Sequence, residues 1–238
     1  MRRGAIAGAV LLSTSLIVPA QQIDAAATIQ SVDRAVMARV NGIEKYTVTE
    51  HYALYRNHDE THPAAEMTVK TTYLRETGKS YEVVSESGSK ILRSVVLGSI
   101  LDNEKKINVP GVREGSWLVS ANYDMKLKTG KVEQVGGRDC VALTVSPRRK
   151  TPYLIEGTIW VDVKDGTIVQ VEGESSKSPS MFAGPTQLIR QYVNIDGFSE
   201  ATHARAVSSS AVFGETVIKI DYLDYRMELR GAQAAGGK

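Results

Sequence analysis

His58 and His62 are two histidines of this 238-residue sequence whose spacing could suit a metal ion. A helical zinc-protease motif requires glutamate directly after the first histidine and both imidazoles on one helical face. Here Asp59 takes the place of that glutamate, and Pro63 directly after the second histidine interrupts a helix. We therefore expect a polar loop tip between two strands and no metal site.

Other patterns of reactive residues are equally incomplete. The segment Thr77-Gly78-Lys79-Ser80 resembles the end of a phosphate-binding loop, but the first glycine of that motif would fall at Tyr73, and a predicted strand follows instead of a helix. The sequence contains no Gly-x-Ser-x-Gly, so a nucleophile elbow is absent. His51 and His203 lie on predicted strands without a nucleophile motif, although triads assembled in space stay open. These patterns predict a protein without catalysis and without a cofactor.

Charge and cysteine content also narrow the function. The chain has 29 basic and 27 acidic residues, and loss of the two N-terminal arginines would bring the net charge near zero, which argues against a nucleic acid partner. The basic run Pro147–Lys150 has fewer charges than the roughly four to eight of a lipid head-group site, and it indicates a solvated turn. Cys140 cannot form an internal disulfide, and we expect it to be buried in a strand.

The N-terminus has the pattern of a secretory signal. Two arginines precede an uncharged apolar stretch from Ala5 to Val18, and small residues follow it. This stretch is shorter than the roughly 20 residues of a bilayer-spanning helix, so cleavage after Ala20 or Ala25 is favoured over retention as an anchor. A lipoprotein signal would need a cysteine directly after the cut, and the only cysteine is Cys140.

We therefore predict three regions: a signal peptide over residues 1–25, one domain over 26–230 and a flexible tail over 231–238. The domain is long enough to bury a sizeable core. The mature protein is expected in the periplasm, free of a lipid anchor.

Two helices are predicted from apolar residues at three- and four-residue steps. The first spans Thr28–Val40 and is ended by Asn41-Gly42. The second spans Ser89–Asn103, where β-branched residues and Gly98 leave little intrinsic helix propensity. Such a helix depends on packing against an apolar surface, and it should be easy to displace.

Elsewhere the apolar residues recur with the period of two that strands require. Strands are predicted over Tyr46–Arg56, Glu66–Thr77, Tyr81–Ser85, Trp117–Lys128, Lys131–Val135, Arg138–Ser146, Leu154–Val163, Thr167–Glu172, Gln187–Ile195, His203–Phe213 and Thr216–Tyr225. Antiparallel strands of this kind bury one face, and two helices are few to cover it. The predicted fold class is mostly β (α+β), with a single curled antiparallel sheet of about 10–11 strands that forms an unclosed half-barrel under two lid helices.

The middle of the chain resembles bacterial outer-membrane lipoprotein-sorting proteins, the superfamily of the periplasmic carrier LolA, the receptor LolB and the sensor RseB. The resemblance is carried by Val135–Cys140, Leu143–Lys150, Glu156–Asp162 and Asp165–Gly173. The order of helix, three strands, helix and long meander is also similar, so the resemblance extends from Ile29 to Tyr225.

This resemblance implies a cavity that holds the acyl chains of a lipoprotein or a similar lipid. The lid role would fall on Ile91, Leu92, Val95, Val96, Ile100 and Leu101. The cavity wall would include Tyr52, Leu54, Met67, Val69 and Tyr73, with Trp117, Val119, Tyr123 and Met125 as further candidates. For each of these side chains, packing in an ordinary core is the alternative role. The chain has two Trp, three Phe and ten Tyr, whereas the carriers have aromatic-rich cavities, so the identity of the cargo stays open.

Three functions follow from these patterns. The first is a monomeric periplasmic carrier that shelters acyl chains and meets a transport partner at the inner or outer membrane. The second is a sensor or scaffold of the RseB type, in which the same cavity detects lipoproteins and signals to a membrane protein. The third is a hydrolase or another enzyme, which the failed catalytic motifs disfavour.

Overall fold

The computed structural model describes residues 23–178, 185–210 and 214–231. Within these ranges, helix α1 spans Ala25–Gly42, and helix α2 runs from Lys90 to Ile107 in three consecutive segments. Residues 1–22 of the predicted signal peptide and 232–238 of the predicted tail lie outside the described residues.

Ten strands occur within the described ranges. They are β1 Ile43–Arg56, β2 Ala65–Leu74, β3 Gly78–Gly88, β4 Tyr123–Val135, β5 Arg138–Pro147, β6 Ile155–Asp162, β7 Ile168–Ser175, β8 Gln187–Ile195, β9 Phe198–Ser210 and β10 Gly214–Leu229. The predicted strand Gln187–Ile195 matches β8 residue for residue, whereas β9 begins five residues before the predicted His203.

The strands form one antiparallel sheet in the order β3-β2-β1-β10-β9-β8-β7-β6-β5-β4. Pairing of β1 with β10 joins the N-terminal meander to the C-terminal one, for example Tyr52 to Ile220. The outer strands β3 and β4 do not pair within the described residues, so the curled sheet stays open. This half-barrel confirms the predicted fold class.

Helix α1 covers the half of the sheet made by β4–β7. The carboxylate Oδ1 of Asp24 caps its N-terminus by accepting hydrogen bonds from the amides of Ala26 at 2.8 Å and Ala27 at 3.2 Å. Val32 is fully buried on the strands, where it joins an apolar cluster that includes Tyr123 and Leu143. The residue spacing that predicted this helix therefore also identified its buried face.

Helix α2 covers the other half of the sheet, over β1, β2 and β10. Its first and last segments, Lys90–Leu92 and Gly98–Ile107, are α-helical, and the middle segment Arg93–Leu97 is a π-helix. The extra residue of a π turn aligns Leu92 with Leu97, five residues later, and both side chains are buried. The buried face of the lid therefore differs from one with α-helical spacing throughout.

One predicted strand is wrong over its first half. Trp117–Lys128 alternates in polarity, yet β4 begins only at Tyr123. The preceding backbone is a turn, because the Asn122 side-chain amide donates to the carbonyls of Glu114 at 2.8 Å and Trp117 at 2.9 Å. Local hydrogen bonds of this kind compete with strand pairing.

The second half of the same prediction also needs a correction. Thr129-Gly130 does not end a strand, because β4 continues through it to Val135 as one element. The register against β5 shifts between Leu127 and Val132, and Gly130 has a φ of 64°. The glycine marks an irregularity within a strand and not a hairpin turn, which is why ten strands are found and not eleven.

Candidate functional site

A cavity of about 310 Å³ lies between α1 and α2 on the concave face of the sheet. Its wall includes side chains from both helices, from the turn before β4 and from β1, β3, β8, β9 and β10: Val36, Arg39, Tyr46, Val48, Glu50, Lys79, Glu104, Ile107, Trp117, Arg190, Tyr192, Glu200, Tyr222 and Tyr225. Six of these residues are charged and five are aromatic, so the cavity is far more polar than the resemblance implies.

Arg39 and Glu200 tie the end of α1 to β9 at one side of this cavity. Arg39 Nε donates to Glu200 Oε1 at 2.8 Å, and Nη2 donates to Oε2 at 2.7 Å, which is the strong bidentate geometry. Burial opposes the charged form of Arg39, but the Glu200 carboxylate outweighs it and raises the pKa of the guanidinium. The bidentate pair fixes the position of the end of α1.

Lys79, Glu104 and Arg190 link β3, α2 and β8 at the other side. Lys79 Nζ lies 2.5 Å from Glu104 Oε2, and Arg190 Nη2 lies 3.8 Å from Glu104 Oε1. Burial opposes both charges of the first pair, yet their mutual attraction wins. It holds the pKa of Lys79 well above its ordinary value and lowers the pKa of Glu104. These contacts fasten the lid helix to the sheet.

Glu50 of β1 lines the cavity and is 1 % exposed. The hydroxyl of Tyr52, two residues along β1, donates a hydrogen bond to Glu50 Oε2. The other carboxylate oxygen, Oε1, is buried without a hydrogen-bond partner among the described residues. Burial is the main reason why the pKa of Tyr52 is raised well above 10.0, and the nearby Glu50 carboxyl raises it further.

Tyrosines form the aromatic part of the wall. The rings of Tyr46 and Tyr73 stack with centroids 4.9 Å apart, and Tyr225 packs against Tyr46 at 6.0 Å. Tyr222 lies opposite Glu50 in the pairing of β1 with β10. Burial raises the pKa of Tyr46, Tyr222 and Tyr225, so these hydroxyls stay protonated at neutral pH.

The predicted cavity-wall residues do not lie together in one place. Tyr52, Leu54, Met67 and Val69 lie on the concave face, where they pack against Leu92, Leu97 and Leu101 of α2 in a closed apolar cluster beside the cavity. Tyr73 belongs to the tyrosine stack, and Trp117 lines the cavity itself. Tyr123 and Met125 pack under α1, and Val119 is buried in the turn before β4.

The predicted lid residues divide between two faces of α2. Leu92 and Leu101 are buried on the sheet, and Val96 and Ile100 pack partly against the same cluster. Ile91 and Val95 are 64 % and 50 % exposed, so they point away from the sheet. Leu97, which the prediction omitted, is fully buried.

The charged cavity residues were missed by the sequence reasoning. One signal was available, because Glu50 falls on the apolar face of β1 between Val48 and Tyr52 and is thus a charge at a buried position. Lys79 was considered only as part of an incomplete phosphate-binding motif, whereas its side chain is 13 % exposed and pairs with Glu104. Glu104 and Arg190 gave no signal, since a polar residue at their positions is ordinary on a helix or a strand.

The histidines of the possible metal pattern lie in the loop after β1. His58 pairs with Glu215 at 2.8 Å and His62 with Asp59 at 3.1 Å, and both imidazoles are largely exposed. No cluster of three or more metal-ligating side chains occurs within residues 23–178, 185–210 and 214–231. Across the same ranges, no helix combines the length and apolarity needed to cross a bilayer.

Comparison with known proteins gives structural likeness without sequence likeness. No family model matches the sequence. A search of curated proteins gives no match either.

Three solved structures match most of the chain at low identity. A putative outer membrane lipoprotein-sorting protein domain from Vibrio parahaemolyticus is 14% identical, with a TM-score of 0.47, and the match covers 90% of this chain and 95% of that one. A LolA superfamily protein from Nitrosomonas europaea is 12% identical, with a TM-score of 0.43 and coverage of 91% and 98%. A DUF1329 family protein from Desulfovibrio piger is 15% identical, with a TM-score of 0.44 and coverage of 90% and 95%.

Proposed function

We propose that this protein is a non-catalytic periplasmic carrier that binds the acyl chains of lipoproteins or other lipids beneath α2. One observation carries the proposal: the apolar concave surface of β1, β2 and β10 is covered by a single distorted helix. Leu54, Met67 and Val69 meet Leu97 and Leu101 there. Displacing α2 would open an apolar bed without breaking the sheet.

The energetics favour exchange of the helix for an acyl chain. Burial of each methylene is worth about 0.8 kcal/mol, so a chain that takes the place of the leucine side chains recovers the lost contacts. The π segment and the β-branched Val95 and Val96 leave the helix with little stability of its own. The ion pair of Lys79 and Glu104 then sets how firmly the lid is closed.

The wall of the cavity also supports a role without catalysis. Glu104 and Glu200 each have a cationic partner, and the tyrosine hydroxyls hold their protons. A carboxylate held in an ion pair and a protonated tyrosine are each poorly suited to act as an activated nucleophile or its base.

The direct test is to purify the mature protein from its native envelope, extract it with organic solvent and identify bound lipid by mass spectrometry. Acyl species in stoichiometric amount are expected. Recovery of none, together with no uptake of a fluorescent fatty acid by the purified protein, would refute the carrier function.

Substitutions in α2 test the position of the binding site. Ile100→Asp and Val96→Asp each place a charge against the apolar cluster, and fatty-acid uptake should be lost. Val95→Asp is the matched control, since Val95 lies on the exposed face of the same helix and should leave uptake unchanged. If the buried and exposed substitutions behave alike, α2 is not the lid.

A further inference from the structure

The cavity between α1 and α2 contains three carboxylates, and they are not equally paired. Glu200 has Arg39 at 2.7 Å, and Glu104 has Lys79 at 2.5 Å. Glu50 is as buried as Glu200, but among the described residues no cation lies within ion-pair distance of it. A buried carboxylate of this kind costs several kcal/mol unless a partner completes it.

Among the cations of the cavity, Arg190 is incompletely paired. Lys79 and Arg190 both approach Glu104, with Arg190 at the longer distance of 3.8 Å. Arg190 Nε is buried and has no acceptor within the described ranges. One acceptor therefore lacks a donor at Glu50 Oε1, and one donor lacks an acceptor at Arg190.

We propose that this cavity binds a zwitterionic head group, with its ammonium on Glu50 and its phosphate on Arg190. The inference rests on the proposed carrier function and extends it, because it assigns the polar end of the lipid to the cavity and the acyl chains to the bed under α2.

Charge balance selects a zwitterion over a single ion. The three cations Arg39, Lys79 and Arg190 balance Glu50, Glu104 and Glu200, so a lone ammonium or a lone phosphate would leave a net charge in a low-dielectric space. A ligand that brings both charges leaves the total unchanged and completes both partial networks.

The size and position of the cavity agree with this assignment. A volume of about 310 Å³ is near the lower end of ligand pockets, which suits a head group and not a whole lipid. Tyr52 joins the two compartments, because its ring packs under α2 while its hydroxyl donates to Glu50. A lipid could thus keep its head in the cavity while its chains follow β1 beneath the lid.

The test measures binding of phosphatidylethanolamine and phosphatidylglycerol with identical chains, presented in the same detergent micelles, together with soluble glycerophosphoethanolamine. The wild type should bind the ethanolamine lipid about tenfold more tightly than the glycerol lipid. This ratio corresponds to roughly 1.4 kcal/mol, the contribution of one added hydrogen bond to a charged group. Glu50→Gln keeps the size of the side chain and should abolish the preference while binding of the glycerol lipid persists. Glu66→Gln, on the solvent face of β2, is the matched control and should keep it.

The outcomes separate this inference from the carrier function. Equal binding of both lipids by wild type and Glu50→Gln overturns the head-group site and leaves the carrier function standing. If neither lipid binds, the carrier function fails, and the soluble head group then decides the site alone. Binding of glycerophosphoethanolamine would support the head-group site. If it does not bind, the head-group site is overturned, and water completes the hydrogen bonds of Glu50 and Arg190.

Should Glu50→Gln not fold, the wild-type protein still gives a result. The ¹³C carboxyl resonance of Glu50 is followed while glycerophosphoethanolamine is added, with Glu66 as the internal reference. A saturable shift at Glu50 alone is expected, and no shift at Glu50 would overturn the proposal.

Discussion

Replacing Lys79 with methionine removes the cation that joins β3 to α2 while preserving most of the apolar length of the side chain. Lys79 and Glu104 are 13 % and 20 % exposed and lie 2.5 Å apart, so Glu104 would be left mostly buried. Loss of one partner from a fully buried pair costs roughly 3–5 kcal/mol. Because this pair is partly exposed and Arg190 stays 3.8 Å from Glu104, we expect a loss of about 2–3 kcal/mol.

Hydrogen exchange of the α2 amides is the most specific assay for this variant. If the pair mainly holds the lid, a loss of about 2–3 kcal/mol speeds exchange through lid opening by roughly 30- to 150-fold, while amides of β5 and β6 keep their protection. Urea unfolding measures the global part of the loss. A double-mutant cycle with Glu104→Gln isolates the energy of the pair itself.

An exposed ion pair provides the control. Lys45 and Glu228 are 2.7 Å apart but 38 % and 57 % exposed, and Lys45→Met should cost less than about 1 kcal/mol. If Lys79→Met costs no more than Lys45→Met, and α2 exchanges at the wild-type rate, the reasoning about the closed lid is refuted.

The pH dependence of the lid follows from the same two groups. The pKa of Glu104 is lowered from 4.5, so its contribution is present above pH 4.5 and is lost as the pH falls through the lower folded value. The pKa of Lys79 is raised from 10.5, so its contribution is present below pH 10.5 and is lost as the pH rises through the higher folded value. In acid, α2 should open in the wild type, and Lys79→Met should lose less stability there because its Glu104 is already unpaired.

Three further predictions concern packing and the chain terminus. Leu97→Ala should cost about 3 kcal/mol in urea unfolding because Leu97 is fully buried between α2 and the sheet, whereas Val95→Ala on the exposed face of α2 should cost under about 0.5 kcal/mol; equal losses would contradict the assigned faces. Cys140 is fully buried and burial raises its pKa to about 11, so a thiol reagent should label it only after unfolding, and rapid native labelling would refute its placement. Asp24→Ala should lower the free energy of unfolding by about 1 kcal/mol because it removes the N-terminal cap of α1. N-terminal sequencing of the mature protein should find cleavage after Ala20, which keeps Asp24, and a mature chain that lacks Asp24 would contradict the role of this cap.

Much of the fold could be predicted because the spacing of apolar residues along the chain indicates which side chains are buried. The period of two located most strands, and the steps of three and four located both helices, with α1 extending three residues before and two after Thr28–Val40. The two errors in β4 arise where the local backbone does not follow the alternation of apolar and polar residues. Trp117 lies in a turn held by the Asn122 side chain, and Gly130 lies within a strand.

The candidate site was less predictable, because its parts come from distant strands. Apolar residues such as Leu54 and Met67 could be assigned to the buried face of the sheet, since each lies on the apolar face of its own strand. The partners Lys79 and Glu104 were not, because pairing across 25 residues leaves no pattern in either segment. The π segment of α2 likewise could not be foreseen, and it is what buries Leu97.

The sequence by itself determined that this chain forms a half-covered antiparallel sheet with two helices, because the alternation of apolar residues is a local property that each strand and helix shows alone. Only the tertiary structure decided what lies between the helices. A charge such as Glu50 has meaning only through its neighbours, and pairing of β1 with β10 and closure of α2 over the sheet place those neighbours from opposite ends of the chain around it.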